Sequence, residues 1–104
     1  MHYNPYLLTM TRTVTCSRYQ TELPGLEKPP MPGPNGEKIF ENVSQKAWDE
    51  WQNLQTMLIN EKHLSLVDPE ARKYLSEQMW RFFNNEDVDR AEGYIDPSDA
   101  PQTP

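Results

Sequence analysis

The stretch Gly36-Glu-Lys-Ile-Phe-Glu-Asn-Val-Ser-Gln-Lys-Ala-Trp-Asp-Glu-Trp-Gln-Asn-Leu-Gln-Thr-Met-Leu-Ile-Asn-Glu61 decides the fold. Ser44 is a good helix N-cap, since its hydroxyl can accept from a first-turn N–H, and Val43 and Trp48 hold the N′ and N4 positions of a hydrophobic staple. At about 100° per residue, Ala47, Trp48, Trp51, Leu54, Leu58 and Ile59 share one face, and that stripe demands a partner. The helix should run to about Glu61 or His63. Gln55 interrupts the stripe. A buried, unpaired amide costs about 1 to 3 kcal/mol, so Gln55 is expected to bond the free carbonyls of the proline-rich connector that precedes the helix. Just ahead of Ser44, the residues from Gly36 to Asn42 allow one short helical turn with Ile39 and Phe40 facing inward.

The partner is a second helix that opens at Asp68-Pro69-Glu70, where a capping carboxylate, a proline at N1 and an acid in the first turn coincide. Its stripe gathers Ala71, Tyr74, Leu75, Met79, Phe82 and Phe83, with Gln78 inside it. The short link from Leu64 to Val67 predicts an antiparallel pair. Trp80 falls on the opposite face, either covered by the following tail through Tyr94 and Ile95 or exposed as a surface for a partner.

Toward the N-terminus, Val14 and Cys16 alternate with Thr13, Thr15 and Ser17, the period of a half-buried strand. Pro24, Pro29, Pro30, Pro32 and Pro34 follow closely, and each removes a backbone donor. They leave room for a brief return strand near Leu26 to Lys28 and make the rest a stiff, extended connector. The expected fold is therefore α+β: a small antiparallel β-hairpin packed beside an antiparallel pair of amphipathic helices, with a short helical turn before them.

Composition narrows the function. A chain of 104 residues, 36% of them hydrophobic, suits one small domain burying roughly 60 to 65% of its unfolded surface. The net charge of −6 is concentrated: from Asn84 to Pro104 six acids face Arg90 alone. The remainder is nearly neutral, which removes the basic face that nucleic acid requires. No apolar run suits a membrane span, the first residues lack the pattern of a secretory signal, and a single cysteine points to packing rather than disulfides in a reducing cytoplasm. Residues 10–85 form the expected domain and residues 86–104 an acidic, largely disordered tail.

No constellation of nucleophile and base, no glycine-rich phosphate loop and no His-x-x-x-His pair occurs, so no enzyme is expected. Cys16 is the one thiol, either a buried small hydrophobe or a redox-active or metal-associated group; Arg12 and Arg18, on its face by alternation, would favour the thiolate. Glu61, His63, Asp68 and Glu70 cluster around the interhelical link as weak candidates for an iron(II) site. Ordinary helix caps and solvated charges explain them as well.

Arg12-Thr-Val-Thr-Cys16, Pro29-Pro-Met-Pro-Gly33, the opening run through Ser44, Ala47-Trp48, Trp51, Gln55-Thr-Met-Leu-Ile-Asn-Glu61, Asp68-Pro69 and Glu77-Gln-Met79 together resemble the bacterial probable iron(II)-trafficking (YggX-like) family. The similarity spans Met10 to Phe83 and extends weakly through Tyr94. It makes Met1 to Thr9 an N-terminal extension, disordered and without function. What the resemblance implies is a cytoplasmic, non-enzymatic bacterial protein for iron(II) trafficking and for protection or repair of iron–sulfur clusters under oxidative stress. Its implied partners are iron–sulfur proteins or their assembly machinery, with iron(II) held weakly and transiently. Cys16 matches the family's first-strand cysteine. The rival expectation is a protein-interaction module acting through the helix pair, Trp80 and the acidic tail without metal chemistry.

Overall fold

The structure, a computed structural model, describes residues 12–91 and Tyr94. Among them are two strands, β1 (Thr13–Thr15) and β2 (Glu22–Pro24), and three helices, α1 (Gly33–Asn42), α2 (Gln45–Lys62) and α3 (Pro69–Phe83). The class is α+β, as the periodicities predict. The chain divides into two compact units between Asp49 and Glu50, within α2. The expected N-terminal extension lies outside the described residues.

In the first unit β1 and β2 pair antiparallel, with Val14 opposite Leu23 and Thr13 opposite Pro24. The Gly25 N–H donates to the Arg12 carbonyl at 2.9 Å and the Cys16 N–H to the Thr21 carbonyl at 3.0 Å. Bonded and non-bonded pairs alternate in such a ladder, so Pro24 occupies a non-bonded position where its missing N–H costs nothing. The return strand therefore lies at Glu22–Pro24, earlier than the expected Leu26 to Lys28.

The short turn expected before Ser44 is in fact a ten-residue helix. Pro34 belongs to the first turn of α1, where N–H groups have no intrahelical partner and a fixed φ helps. The proline run thus ends by starting a helix. Ile39 and Val43 are fully buried, while Phe40 is only half-buried. The Arg12 guanidinium lies 3.6 Å from the centre of the Phe40 ring. Its two terminal nitrogens donate to the Leu26 carbonyl at 2.8 Å and the Phe40 carbonyl at 2.7 Å. One side chain so fastens the hairpin to the last turn of α1, where free carbonyls attract a cation. Gly25 has to be glycine for this: a Cβ there would run into the Arg12 guanidinium.

The second unit contains most of α2 and all of α3. Asp68 caps α3, accepting from the Glu70 N–H at 2.9 Å. The Trp51 and Phe82 rings lie 6.0 Å apart, and the Lys62 ammonium sits 5.7 Å from the Tyr74 ring. Residues early in α2 thus meet residues late in α3, which makes the pair antiparallel. Trp51, Leu54, Leu58, Leu75, Met79, Phe82 and Phe83 are buried, each large side chain contributing roughly 1.5 to 3 kcal/mol. Both helices stop by the same device. His63 and Asn85 take left-handed φ values of 53° and 60°. The following N–H groups reach back five residues, Leu64 to the Ile59 carbonyl at 3.0 Å and Glu86 to the Arg81 carbonyl at 2.9 Å.

Gly36 is buried inside α1, and a Cβ there would collide with the Met31 carbonyl. Helix propensity alone favours alanine over glycine by up to about 1 kcal/mol. Gly36→Ala is nevertheless expected to destabilise the protein by about 1 to 3 kcal/mol, measured as a lower urea midpoint at unchanged slope; a higher midpoint would contradict the collision.

Candidate functional site

Cys16 immediately follows β1 and is completely buried. Its sulfur accepts from the Ser44 hydroxyl at 3.2 Å and from the Ser44 backbone N–H at 3.5 Å. The same hydroxyl oxygen accepts from the Ala47 N–H at 3.1 Å, the N-cap bond of α2. The strand residue and the helix cap therefore share one oxygen. Burial pushes the Cys16 thiol up, but the Ser44 side chain, the Ser44 backbone and the backbones of Tyr19 and Arg18 outweigh it, and the net pKa is lowered from the ordinary 9.0. The site favours thiolate through hydrogen bonds to sulfur and the positive end of α2.

The arginines expected to activate this thiol are used differently. Arg12 is spent on the Leu26 and Phe40 carbonyls and on the Phe40 ring. Arg18 is buried, its guanidinium 5.9 Å from the Tyr19 ring, with the Lys46 ammonium 4.7 Å from the same ring. The strand ends at Thr15, so the alternation that placed Arg18 on the face of Cys16 does not extend to it.

Around the interhelical link, Glu61, His63, Asp68 and Glu70 are all exposed. Asp68 and Glu70 come together through the α3 cap, and His63 supplies the left-handed residue that ends α2. Among the described residues no group of three or more His, Cys, Asp or Glu is placed to hold a metal ion. Trp80 is half-buried, its ring edge-on to Phe83 at 6.0 Å. Ile95, one of the two residues offered as its cover, lies outside the described residues.

One cluster escaped the sequence reading. Tyr74 donates its hydroxyl to Asp89 at 2.5 Å, and the Asp89 N–H donates to the Gln78 side-chain carbonyl at 2.7 Å. The Tyr74 phenol is held well above its usual range, by burial first and then by the hydrogen bond and charge of Asp89, with Glu61 adding to it. The four-residue spacing of Tyr74 and Gln78 was visible as one helix face. What that face would meet was not.

Residues 10–97 match the family described as bacterial Fe(2+) trafficking. The chain belongs to that family. It is 67% identical over 88 residues to the probable Fe(2+)-trafficking protein of Marinobacter nauticus, covering 85% of this chain and 98% of the relative. The probable Fe(2+)-trafficking protein of Chromohalobacter salexigens is 61% identical over 89 residues, 86% of this chain and 99% of the relative. That of Alcanivorax borkumensis is 57% identical over 89 residues, 86% and 95% respectively. The family match includes the Cys16–Ser44 contact, the interhelical link and the Tyr74–Asp89 cluster alike, so membership by itself singles out none of the three. Among the described residues of this Fe(2+)-trafficking family member, no helix is long and apolar enough to cross a membrane.

Two outcomes test these assignments. A thiol whose folded pKa is depressed contributes stability above its unfolded value, and the contribution is lost as pH falls through the folded value. The stability of the wild-type chain relative to Cys16→Ser should therefore grow as pH rises toward 9.0 and level off above it, measured by urea unfolding across that window. In the Ser44→Ala background this gain should shrink, alongside a pH-independent loss of about 1 kcal/mol from the missing cap. For His63, the left-handed backbone predicts that His63→Gly raises stability by about 1 kcal/mol; a drop in melting temperature would show that the imidazole matters more than the backbone.

Proposed function

We propose that this protein carries iron(II) transiently in the bacterial cytoplasm and supports the supply, protection or repair of iron–sulfur clusters, without catalysing a reaction of its own. Family membership supports the iron(II) cargo. The observation within the chain that carries the chemistry is the Cys16 sulfur, held by two Ser44 donors that favour its thiolate. A thiolate is a soft ligand that iron(II) accepts, and one thiolate without a surrounding cage suits cargo that must be released. The remaining ligands come from the client or from solvent. Cys16 is completely buried, so transfer requires local opening of the hairpin around it. Iron–sulfur proteins and their assembly machinery are the fitting partners, because they consume the cargo.

A second reading assigns the protein to interaction alone, through the helix pair, Trp80 and the acidic segment. The half-buried Trp80 and the exposed acids Glu86, Asp87 and Asp89 support it. Anaerobic titration of iron(II) into the labelled protein separates the two. Saturable amide shifts confined to the residues around Cys16 and Ser44, absent in Cys16→Ser, are expected for the first. Shifts confined to Glu61, His63, Asp68 and Glu70 would move the cargo to the interhelical link, and no shift at all would leave the interaction reading standing. In cells, Cys16→Ser is expected to increase sensitivity to superoxide generators and to lower the activity of iron–sulfur enzymes.

A further inference from the structure

Beyond the end of α3 the chain does not leave the helix. Glu86–Ala91 runs back along it as a strap without regular secondary structure. The Arg81 guanidinium donates to the Asp87 carbonyl at 3.4 Å, Gln78 accepts from the Asp89 N–H, and Tyr74 donates to the Asp89 carboxylate. Rising strap numbers meet falling helix numbers, so the strap is antiparallel to α3. Its reversal is made by the left-handed Asn85.

The contacts have a particular chemistry. Two of the three address main-chain groups that any residue possesses, and the third addresses one carboxylate. The strap's own side chains add little apolar anchoring: Ala91 is buried and Val88 only half-buried, while Asp87, Asp89 and Arg90 are exposed. On the helix side, Gln78 is a polar residue with 8% exposure inside an apolar stripe, and its carbonyl is used on the strap. A helix that needed only a cover would carry an apolar residue there. Gln78 with Tyr74 and Arg81 instead reads an extended backbone with an acid at one position.

We infer that Tyr74, Gln78 and Arg81 form a recognition surface for an extended acidic peptide segment of a partner protein, and that the strap Glu86–Ala91 occupies this surface in cis as a displaceable substitute. This inference does not rest on the iron(II) reading. A tethered segment competes at an effective concentration of roughly millimolar or more, so the surface is largely closed until a better segment arrives. The apparent affinity of any external segment is reduced by the small fraction of open surface.

The test uses the full chain and a capped synthetic peptide with the sequence of residues 84–91. Asp89→Ala in the protein weakens the cis contact while the peptide still offers its carboxylate. The peptide is expected to bind this variant at least about tenfold more tightly than it binds wild type, shifting the Gln78 side-chain amide and the Arg81 signals. A peptide with alanine in place of its Asp89 should lose that advantage. With Tyr74→Phe added to Asp89→Ala, both peptides should bind alike, since the group that senses the carboxylate is gone. Equal affinity for wild type and variant, or no binding to either, overturns the proposal. Concentration-dependent dimerisation of the wild-type chain would assign the surface to a second copy and overturn it as well. If Asp89→Ala does not fold, Asp89→Asn is judged by the same criterion, and failure of both to fold makes the strap an integral part of the fold and ends the proposal.

Discussion

The hydroxyl of Ser44 holds the first unit in register. It gives its hydrogen to the Cys16 sulfur and takes the first-turn N–H of Ala47, so the position of β1 and the start of α2 are set by a single oxygen. Both demands are met only because Ser44 is buried at the junction of α1 and α2, where its backbone also bridges to Gly25 beside β2. The Ser17 N–H reaches the Asn42 carbonyl at 2.8 Å two residues away. A hairpin of three-residue strands has little stability alone. Tied at Ser44, Asn42 and Arg12, it becomes part of a helical junction, and the thiol acquires its electrostatic setting from the same ties.

What the sequence revealed, and what it hid, follows from the range of each interaction. Helix caps are local, so Ser44, Asp68 and Pro69 announced α2 and α3 to within a residue or two. Periodicity is also local, and it identified the buried faces of both helices and the alternation of Val14 and Cys16. The second strand was hidden because Pro24 looks like a strand breaker until the register is known, and register is a pairing property. The length of α1 was hidden because proline has opposite meanings in a connector and in a first helical turn. At the candidate site, Cys16 was conspicuous as the lone thiol, but its regulator was misassigned. Strand alternation pointed to the side chains of Arg12 and Arg18, whereas Arg18 contributes through its backbone and the side chain bonded to the sulfur is that of Ser44, 28 positions away in sequence.

The two units handle buried polarity in contrasting ways. In the first, two side chains make closed sets of contacts: Arg12 with the two carbonyls and the ring, Ser44 with sulfur and amide. In the second, Gln78 and Tyr74 are paired with a segment that lies outside any helix or strand. Closed sets favour rigidity, and contacts to irregular segments open at lower free energy than the core does. Any motion that matters for recognition is accordingly easier to place at the strap than at the hairpin.

Arg12 and Gly25 also constrain how this chain can change over generations. The guanidinium runs through the space that a side chain at position 25 would need, with Val14 close behind it at 3.1 Å from the same point. A larger residue at 25 pushes the guanidinium out of this space, away from the Leu26 and Phe40 carbonyls, and still meets Val14 once the guanidinium has moved. Loss of Arg12, in turn, unfastens the Leu26 and Phe40 carbonyls without creating any collision. A change at either position therefore costs the same two carbonyl contacts, and the two positions behave as one heritable unit although twelve residues lie between them.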